Sequence, residues 1–182
     1  MINLTKGSKN FSKFDCKSGF WQIQLTEESK KFAAFSTPRG HYHWNVMPFG
    51  LNIAPQVFQH WIDTIFKDLK DCCVVYIDDI LIFSKTKEEH KKHLKLLCEK
   101  FQKHGIILSP KKNELERELI EFLGIILDQR GLKLQEHILS KVRDFPDTLE
   151  NITQLQSLLG ILNYGRNFIK NLSKIEIPWL TN

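Results

Sequence analysis

The chain has 182 residues, of which 42% are hydrophobic and 26% are charged. This composition excludes a disordered protein, and the length suffices for the core of one domain, or of one domain and half of a second. The net charge of +5 favours an anionic partner, and nucleic acid fits better than a membrane. No apolar run approaches the roughly 20 residues of a membrane helix, and residues 1–10 lack the apolar core of a signal peptide, so we expect a soluble intracellular protein.

The first third of the chain predicts short strands joined by turns. Residues 11–15 form one strand, and the strict alternation of residues 21–25 predicts a second, with Gly19 in the bend between them. Residues 32–35 and 41–46 predict a further strand pair around a Pro-Arg-Gly turn.

Two helices follow. Pro55 suits the first turn of a helix. Apolar residues recur at helical spacing after it and predict the buried face of this helix, which comprises Ala54, Phe58, Trp61, Ile62, Ile65, Phe66 and Leu69. A capping box of Thr86 and Glu89 and a left-handed stop at Gly105 enclose the other helix. Its predicted inward residues are Leu94, Leu97, Cys98 and Phe101.

The last third continues the alternation of strands and helices. A strand ends in residues 122–127, residues 128–131 turn it back, and a helix starts near Glu136. After a break at Phe145-Pro146, a second helix carries Leu155, Leu158, Leu159, Leu162 and Phe168. The alternation has no repeats and predicts an α+β fold with a soft boundary near Gly131.

The cysteines and histidines predict neither a disulfide framework nor a zinc site. No CxxC pair occurs among Cys16, Cys72, Cys73 and Cys98, so reduced thiols are expected. No paired cysteines accompany the histidines His41, His43, His90 and His93.

Two adjacent acids interrupt the apolar stretch of residues 74–83. The flanking β-branched blocks predict a hairpin with Asp78 and Asp79 at its tip. Ionised carboxylates beside a hydrophobic interior repel each other and lose hydration, so they must protonate or meet a strong positive charge, such as a divalent cation. The dipeptide alone favours an exposed turn, because Asp is a common turn residue, and the rest of the chain reverses this preference.

Three motifs occur together in a characteristic order. Phe-Ser-Lys-Phe-Asp-Cys-Lys-Ser-Gly-Phe-Trp-Gln-Ile spans residues 11–23, Met-Pro-Phe-Gly-Leu-Asn-Ile-Ala-Pro spans residues 47–55, and Tyr-Ile-Asp-Asp spans residues 76–79. In content and order they resemble reverse transcriptases over nearly the whole chain. The first motif and residues 41–50 are most similar to plant pararetroviruses of the caulimovirus family, with gypsy-type retrotransposons next. Retroviral enzymes usually carry glutamine where Phe49 stands.

The resemblance implies a palm over residues 1–130, an antiparallel sheet backed by helices, and a partial helical thumb over residues 131–182, with the fingers missing. It implies an RNA-directed DNA polymerase that extends a primer on RNA or DNA with deoxynucleotides. Asp15, Asp78 and Asp79 would hold two Mg²⁺ ions, or Mn²⁺ in their place, with the Cys16 carbonyl as an added ligand.

The resemblance also implies roles in substrate and primer binding. Phe20 matches the steric gate that rejects a 2′-hydroxyl, and the nucleotide pocket includes Phe49, Gly50 and Tyr76. Lys112, or its neighbour Lys111, matches a lysine that protonates pyrophosphate; two solvated loop lysines are the alternative.

The segment Phe122-Leu123-Gly124 resembles the primer grip. Beyond it, Arg166, Lys170 and Lys174 could meet duplex phosphates.

One rival to the polymerase is an inactive remnant that merely binds nucleic acid, favoured by the short segment before Asp15. The other is a noncatalytic interaction module. In a full polyprotein, protease and RNase H regions would be linked to this one, in the cytoplasm or in a virus-like particle.

Overall fold

The protein is described by a computed structural model over residues 2–146 and 148–169. Its strands are β1 (Asn10–Asp15), β2 (Ala34–Thr37), β3 (Gly40–His43), β4 (Cys73–Tyr76), β5 (Asp79–Ser84), β6 (Glu114–Arg117), β7 (Leu119–Phe122), β8 (Ile125–Asp128) and β9 (Gly131–Leu134). Its α-helices are α1 (Glu27–Lys30), α2 (Ala54–Ile65), α3 (Lys87–His104), α4 (Glu136–Arg143) and α5 (Ile152–Tyr164). Short 3-10 turns lie at Ile2–Thr5, Gly19–Gln22, Lys31–Ala33, Lys67–Leu69, Pro110–Lys112 and Arg166–Phe168.

The strands form three sheets. The largest has the order β4-β5-β1-β6, and each neighbouring pair within it is antiparallel. The others are the hairpin β2-β3 and the three-stranded sheet β7-β8-β9. The predicted α+β class, with an antiparallel sheet backed by helices, is confirmed.

Helices α2 and α3 share one hydrophobic core with the four-stranded sheet. Phe58 and Ile62 of α2, Leu97 and Phe101 of α3, and Ile80 of β5 are buried in that core. Burial of these apolar faces stabilises the sheet that carries the acids, at about 25 cal/mol per Å². The capping box at Thr86 and the left-handed Gly105, with φ of 65°, bound α3 as predicted.

The chain separates into two compact units. The first comprises Met1–Ile120 and Asp128–Arg130, and the second comprises Glu121–Leu127 and Gly131–Asn182. In the second unit, α5 begins at the N-cap Asn151, whose side chain accepts a hydrogen bond from the Gln154 amide. Among residues 2–146 and 148–169, no helix is long and apolar enough to span a membrane.

The strand predicted over residues 21–25 is wrong. Gly19–Gln22 forms a 3-10 turn, and only an isolated bridge between Gln24 and Val46 follows it. The left-handed Ser18, with φ of 52°, turns the chain sharply after β1, so alternation of apolar residues reflects partial burial rather than sheet pairing.

Four further features differ from the predictions. Strand β2 starts two residues late, because Lys31–Ala33 forms a 3-10 turn, and β3 ends at His43. Cys98 is exposed rather than inward. The predicted strand over residues 122–127 breaks at Leu123 and Gly124, whose positive φ values of 48° and 69° make a tight turn.

Phe168 lies in the 3-10 turn Arg166–Phe168, not in the Leu-rich helix α5, because that helix ends at Tyr164.

Candidate active site

The acids meet where β1 and β5 pair. Asp15, the last residue of β1, is the register partner of Asp79, the first residue of β5. Asp79 also pairs with Tyr76 of β4, so the two residues of the hairpin turn are Ile77 and Asp78. The predicted tip of Asp78 and Asp79 is therefore shifted by one residue, and Asp79 is held within the sheet.

The Ile77-Asp78 turn is strained and braced from two sides. Ile77 has φ of 50°, a conformation that is unfavourable for a β-branched residue. Its amide donates to the Gln59 side chain of α2 at 2.7 Å, and the Asp78 carbonyl accepts from the Cys16 amide at 2.8 Å. These bonds fix the turn that presents Asp78 beside Asp15.

Asp78 is packed against a glycine. A Cβ atom on Gly19 would overlap Asp78 Oδ1 and lie 2.8 Å from the Phe58 ring. Asp78 Oδ1 is buried and has no hydrogen-bond partner within the described chain. A buried carboxylate oxygen without a donor is unfavourable unless a cation reaches it.

The electrostatics of the three acids favour a positive partner. Burial and the Asp15 carboxylate raise the pKa of both Asp78 and Asp79. The same acids and burial raise the pKa of the Cys16 thiol to about 12, burial being the largest cause, so that thiol stays protonated. Within the described residues, no three His, Cys, Asp or Glu side chains already form a metal cluster.

Lys112 supplies a positive charge to this site. Its Nζ lies 2.9 Å from Asp15 Oδ2, and this hydrogen bond raises the pKa of the lysine. Lys111 and Lys112 line a cleft of about 440 Å³ together with Asp15 and Asp79. The Asn113 side chain accepts a 3.4 Å hydrogen bond from the Asp15 amide, which ties the lysine loop to the end of β1.

Three of the residues predicted to bind nucleotide lie around an aromatic cluster. The Phe20 ring is 5.3 Å from Phe49 and 5.7 Å from Phe58, measured between centroids. Phe49 is 57% exposed, and Gly50 after it has φ of 94°, which favours glycine. Tyr76 is exposed at the end of β4.

The residues predicted to hold primer and duplex belong to the second unit. Phe122 is buried, and the carbonyl of Leu123 accepts a hydrogen bond from the Tyr164 hydroxyl of α5. Gly124 packs against the same tyrosine ring. Arg166 is exposed in the turn after α5, whereas Lys170 and Lys174 lie outside the described residues.

The sequence interpretation missed Gln59 and the role of Gly19. A polar residue next to Phe58 on an amphipathic helix is an available signal, but sequence spacing does not reveal its backbone partners. Gly19 was placed in a bend, and its contact with Asp78 joins residues 59 positions apart.

Known proteins resemble this chain at both the sequence and structure levels. The family described as reverse transcriptase (RNA-dependent DNA polymerase) matches residues 1–127. The enzymatic polyprotein of cauliflower mosaic virus strain D/H is 48% identical over 178 residues, which cover 98% of this chain and 26% of the relative. That of carnation etched ring virus is 44% identical over 180 residues, covering 98% of this chain and 27% of the relative.

Solved structures agree with these relatives. Foamy viral protease-reverse transcriptase in complex with RNA/DNA hybrid has a TM-score of 0.76 and 31% identity, covering 96% of this chain and 24% of that one. The dRH form in complex with ds DNA has a TM-score of 0.80 and 31% identity, covering 96% and 31%.

The fold and these matches define a polymerase-type domain, and the chain belongs to the reverse transcriptase family. The predicted similarity to caulimoviruses is confirmed. The chain spans about a quarter of the length of these viral polyproteins.

Proposed function

We propose that this chain is the catalytic part of an RNA-directed DNA polymerase, which adds deoxynucleotides to a primer 3′-hydroxyl on an RNA or DNA template. The observation that carries this proposal is the pairing of Asp15 with Asp79 beside the buried Asp78 Oδ1, which has no hydrogen-bond partner among residues 2–146 and 148–169. In this proposal, residues 1–130 form the palm and residues 131–182 part of the thumb.

The carboxylates of Asp15, Asp78 and Asp79 fit two Mg²⁺ ions, or Mn²⁺, because hard cations take oxygen ligands and a few carboxylates suffice when substrate phosphates supply the rest. The Cys16 carbonyl, rather than its protonated thiol, is the further ligand of this proposal. When bound, the ions lower the pKa of the primer hydroxyl and stabilise charge on the phosphates.

The other residues of the proposed site orient substrate and move one proton. The Phe20 ring, held between Phe49 and Phe58, blocks the space of a 2′-hydroxyl. Gly50 lets the backbone approach the nucleotide, and Tyr76 lies beside Asp79. Lys112 carries its proton at Nζ, within reach of the acids, where it can protonate pyrophosphate as it leaves.

The second unit would bind nucleic acid in this proposal. Phe122, Leu123 and Gly124 lie at a tight turn suited to gripping the primer end, and Arg166, together with Lys170 outside the described residues, would add phosphate contacts. The solved relatives in complex with RNA/DNA hybrid and ds DNA support these partners. Linkage to protease and RNase H regions, in the cytoplasm or a virus-like particle, belongs to the same proposal. The names of the viral polyproteins and of the foamy viral protease-reverse transcriptase are consistent with such linkage.

The test is primer extension on an RNA template with Mg²⁺ and deoxynucleotides. Asp78→Asn and Asp79→Asn should abolish extension, because each removes a proposed metal ligand. Asp71→Asn is the matched control, since Asp71 is an exposed acid outside the site. Extension by the Asp78→Asn or Asp79→Asn chain would contradict the assignment. Absence of extension by the wild type, with duplex binding retained, would support the inactive, nucleic-acid-binding alternative.

A further inference from the structure

A polar cluster lies buried between α3 and the four-stranded sheet, away from the acids. Ser12 of β1, Ser84 of β5 and His90 of α3 have exposed fractions of 0%, 4% and 1%. His93, one helical turn further along α3, is half-buried. Burying three polar side chains at a helix-sheet contact is unfavourable unless each is hydrogen-bonded, so their bonding pattern is tightly specified.

Every member of the cluster has a partner. His90 Nε2 lies 2.8 Å from Ser12 Oγ, and His90 Nδ1 lies 2.9 Å from Ser84 Oγ. Ser84 Oγ also lies 2.8 Å from His93 Nδ1. Finally, Ser12 Oγ accepts a 3.0 Å hydrogen bond from the Glu116 amide of β6.

These contacts determine the direction of the hydrogen bonds. The Glu116 N–H can only donate, so among these contacts His90 Nε2 is the group that can accept the Ser12 hydroxyl proton, and we assign this bond with Ser12 as the donor. A neutral His90 then carries its proton on Nδ1 and donates it to Ser84, whose hydroxyl in turn donates to His93 Nδ1. In the opposite direction, the Ser12 hydroxyl proton would have no acceptor among its partners. The forward direction therefore satisfies the whole cluster.

A second proton on His90 is incompatible with this arrangement. If His90 Nε2 is protonated, the buried Ser12 hydroxyl proton loses its acceptor. Burial is the largest effect on the pKa of His90 and lowers it. The Glu116 carboxylate raises this pKa, and His93 lowers it.

We propose that Ser12, His90, Ser84 and His93 form a pH-sensitive latch, which fastens α3 to β1 and β5 while His90 is neutral and opens when His90 takes up a second proton. The same two strands end in Asp15 and begin with Asp79, so the latch links the protonation state of α3 to the strands that present the acids. The latch does not depend on the proposed polymerase activity.

The first test reads the tautomer directly. Long-range ¹H–¹⁵N NMR spectra of the full chain at pH 7.5 should show His90 with its proton on Nδ1, the less common form of free histidine. Detection of the proton on Nε2 would overturn the bonding direction and with it the latch.

The second test measures opening of the latch by amide hydrogen exchange. Between pH 7.5 and 5.5, protection of the β1 and β5 amides against exchange, corrected for the intrinsic rate, should fall by up to about tenfold, the limit set by uptake of one proton with an unfolded-state pKa of 6.5. The double variant His90→Gln, His93→Gln cannot take up this proton and should lose the response, whereas His104→Gln at the end of α3 should retain it. If the double variant is too unstable to measure, His90→Gln alone should weaken the response. Protection that is independent of pH in the wild type would contradict the latch.

Discussion

Gly19 sets the space available to Asp78. Any side chain at residue 19 must displace the Asp78 carboxylate or the Phe58 ring, because a Cβ atom there would lie well inside van der Waals distance of both. We expect Gly19→Ala to lower the free energy of unfolding by roughly 1–3 kcal/mol, as overpacking does, and to abolish primer extension.

Chemical denaturation measures the stability effect of Gly19→Ala. Gly160→Ala is its matched control, since nothing lies within 4 Å of the added methyl group. Helix propensity predicts that the control is stabilised by roughly 0.5–1 kcal/mol. Equal effects at both positions would show that close packing at Gly19 is not what matters.

Asp78 combines a proposed catalytic role with a cost in stability. Burial and Asp15 raise its pKa, and its Oδ1 has no donor, so the ionised side chain destabilises the folded state when no cation is bound. We expect Asp78→Asn to raise the unfolding free energy by about 1 kcal/mol in EDTA. Mg²⁺ should raise the thermal midpoint of the wild type but not of the variant. Equal responses to Mg²⁺ in calorimetry would remove Asp78 from the metal site.

Phe20 offers a test of sugar selection. Its ring is fixed by contacts with Phe49 and Phe58, so truncation opens space without removing any acid. We expect Phe20→Ala to incorporate ribonucleotides with at least tenfold better relative efficiency than the wild type in single-nucleotide extension. Trp21→Ala is the control, because Trp21 contacts Phe49 from the exposed side. Unchanged discrimination in Phe20→Ala would exclude the steric gate.

At the scale of elements, α2 supports the strained hairpin through one side chain. Gln59 accepts from the Ile77 amide and donates to the Val75 carbonyl, which satisfies backbone groups on either side of Tyr76. We expect Gln59→Ala to cost about 1–3 kcal/mol, because it leaves a part-buried amide unpaired, and to slow extension.

Gln56→Ala, on an exposed turn of the same helix, should change stability by no more than about 0.5 kcal/mol. Urea titration of both variants distinguishes loss of the two Gln59 hydrogen bonds from a general loss of helix stability. Matching effects would show that the Gln59 bonds contribute nothing specific.

The elements differ in how well the sequence predicts them. Helix α3 has a capping box at Thr86 and a left-handed stop at Gly105, which are local signals, and both ends were predicted. Residues 21–25 alternate like a strand, yet their pairing is limited to an isolated bridge between Gln24 and Val46, and pairing is a tertiary property. The same limit explains why the sequence predicts the hairpin, one residue away from its observed turn, but not the hydrogen bonds that Gln59 makes to it.

At the scale of the whole molecule, two kinds of buried group make stability depend on pH in opposite directions. Burial lowers the pKa of His90 from 6.5, so the unfolded chain binds that proton more readily and acid destabilises the fold. Asp78 and Asp79 have a pKa raised above 3.8, so the folded chain binds those protons more readily and acid relieves their repulsion.

The pH range separates the two contributions. As pH falls below 6.5, the unfolding free energy of the wild type in EDTA should decrease, by at most about 1.4 kcal/mol per pH unit for one proton. His90→Gln should be less stable at pH 7.5 but lose this slope. Asp78→Asn should lose more stability in acid than the wild type, because one compensating proton uptake is removed. Exposed pairs such as Lys30 with Glu27 are common to all three chains and cancel in the comparison. Urea titrations from pH 7.5 to 5.0 measure these slopes, and a wild-type slope retained by His90→Gln would assign the acid response to other groups.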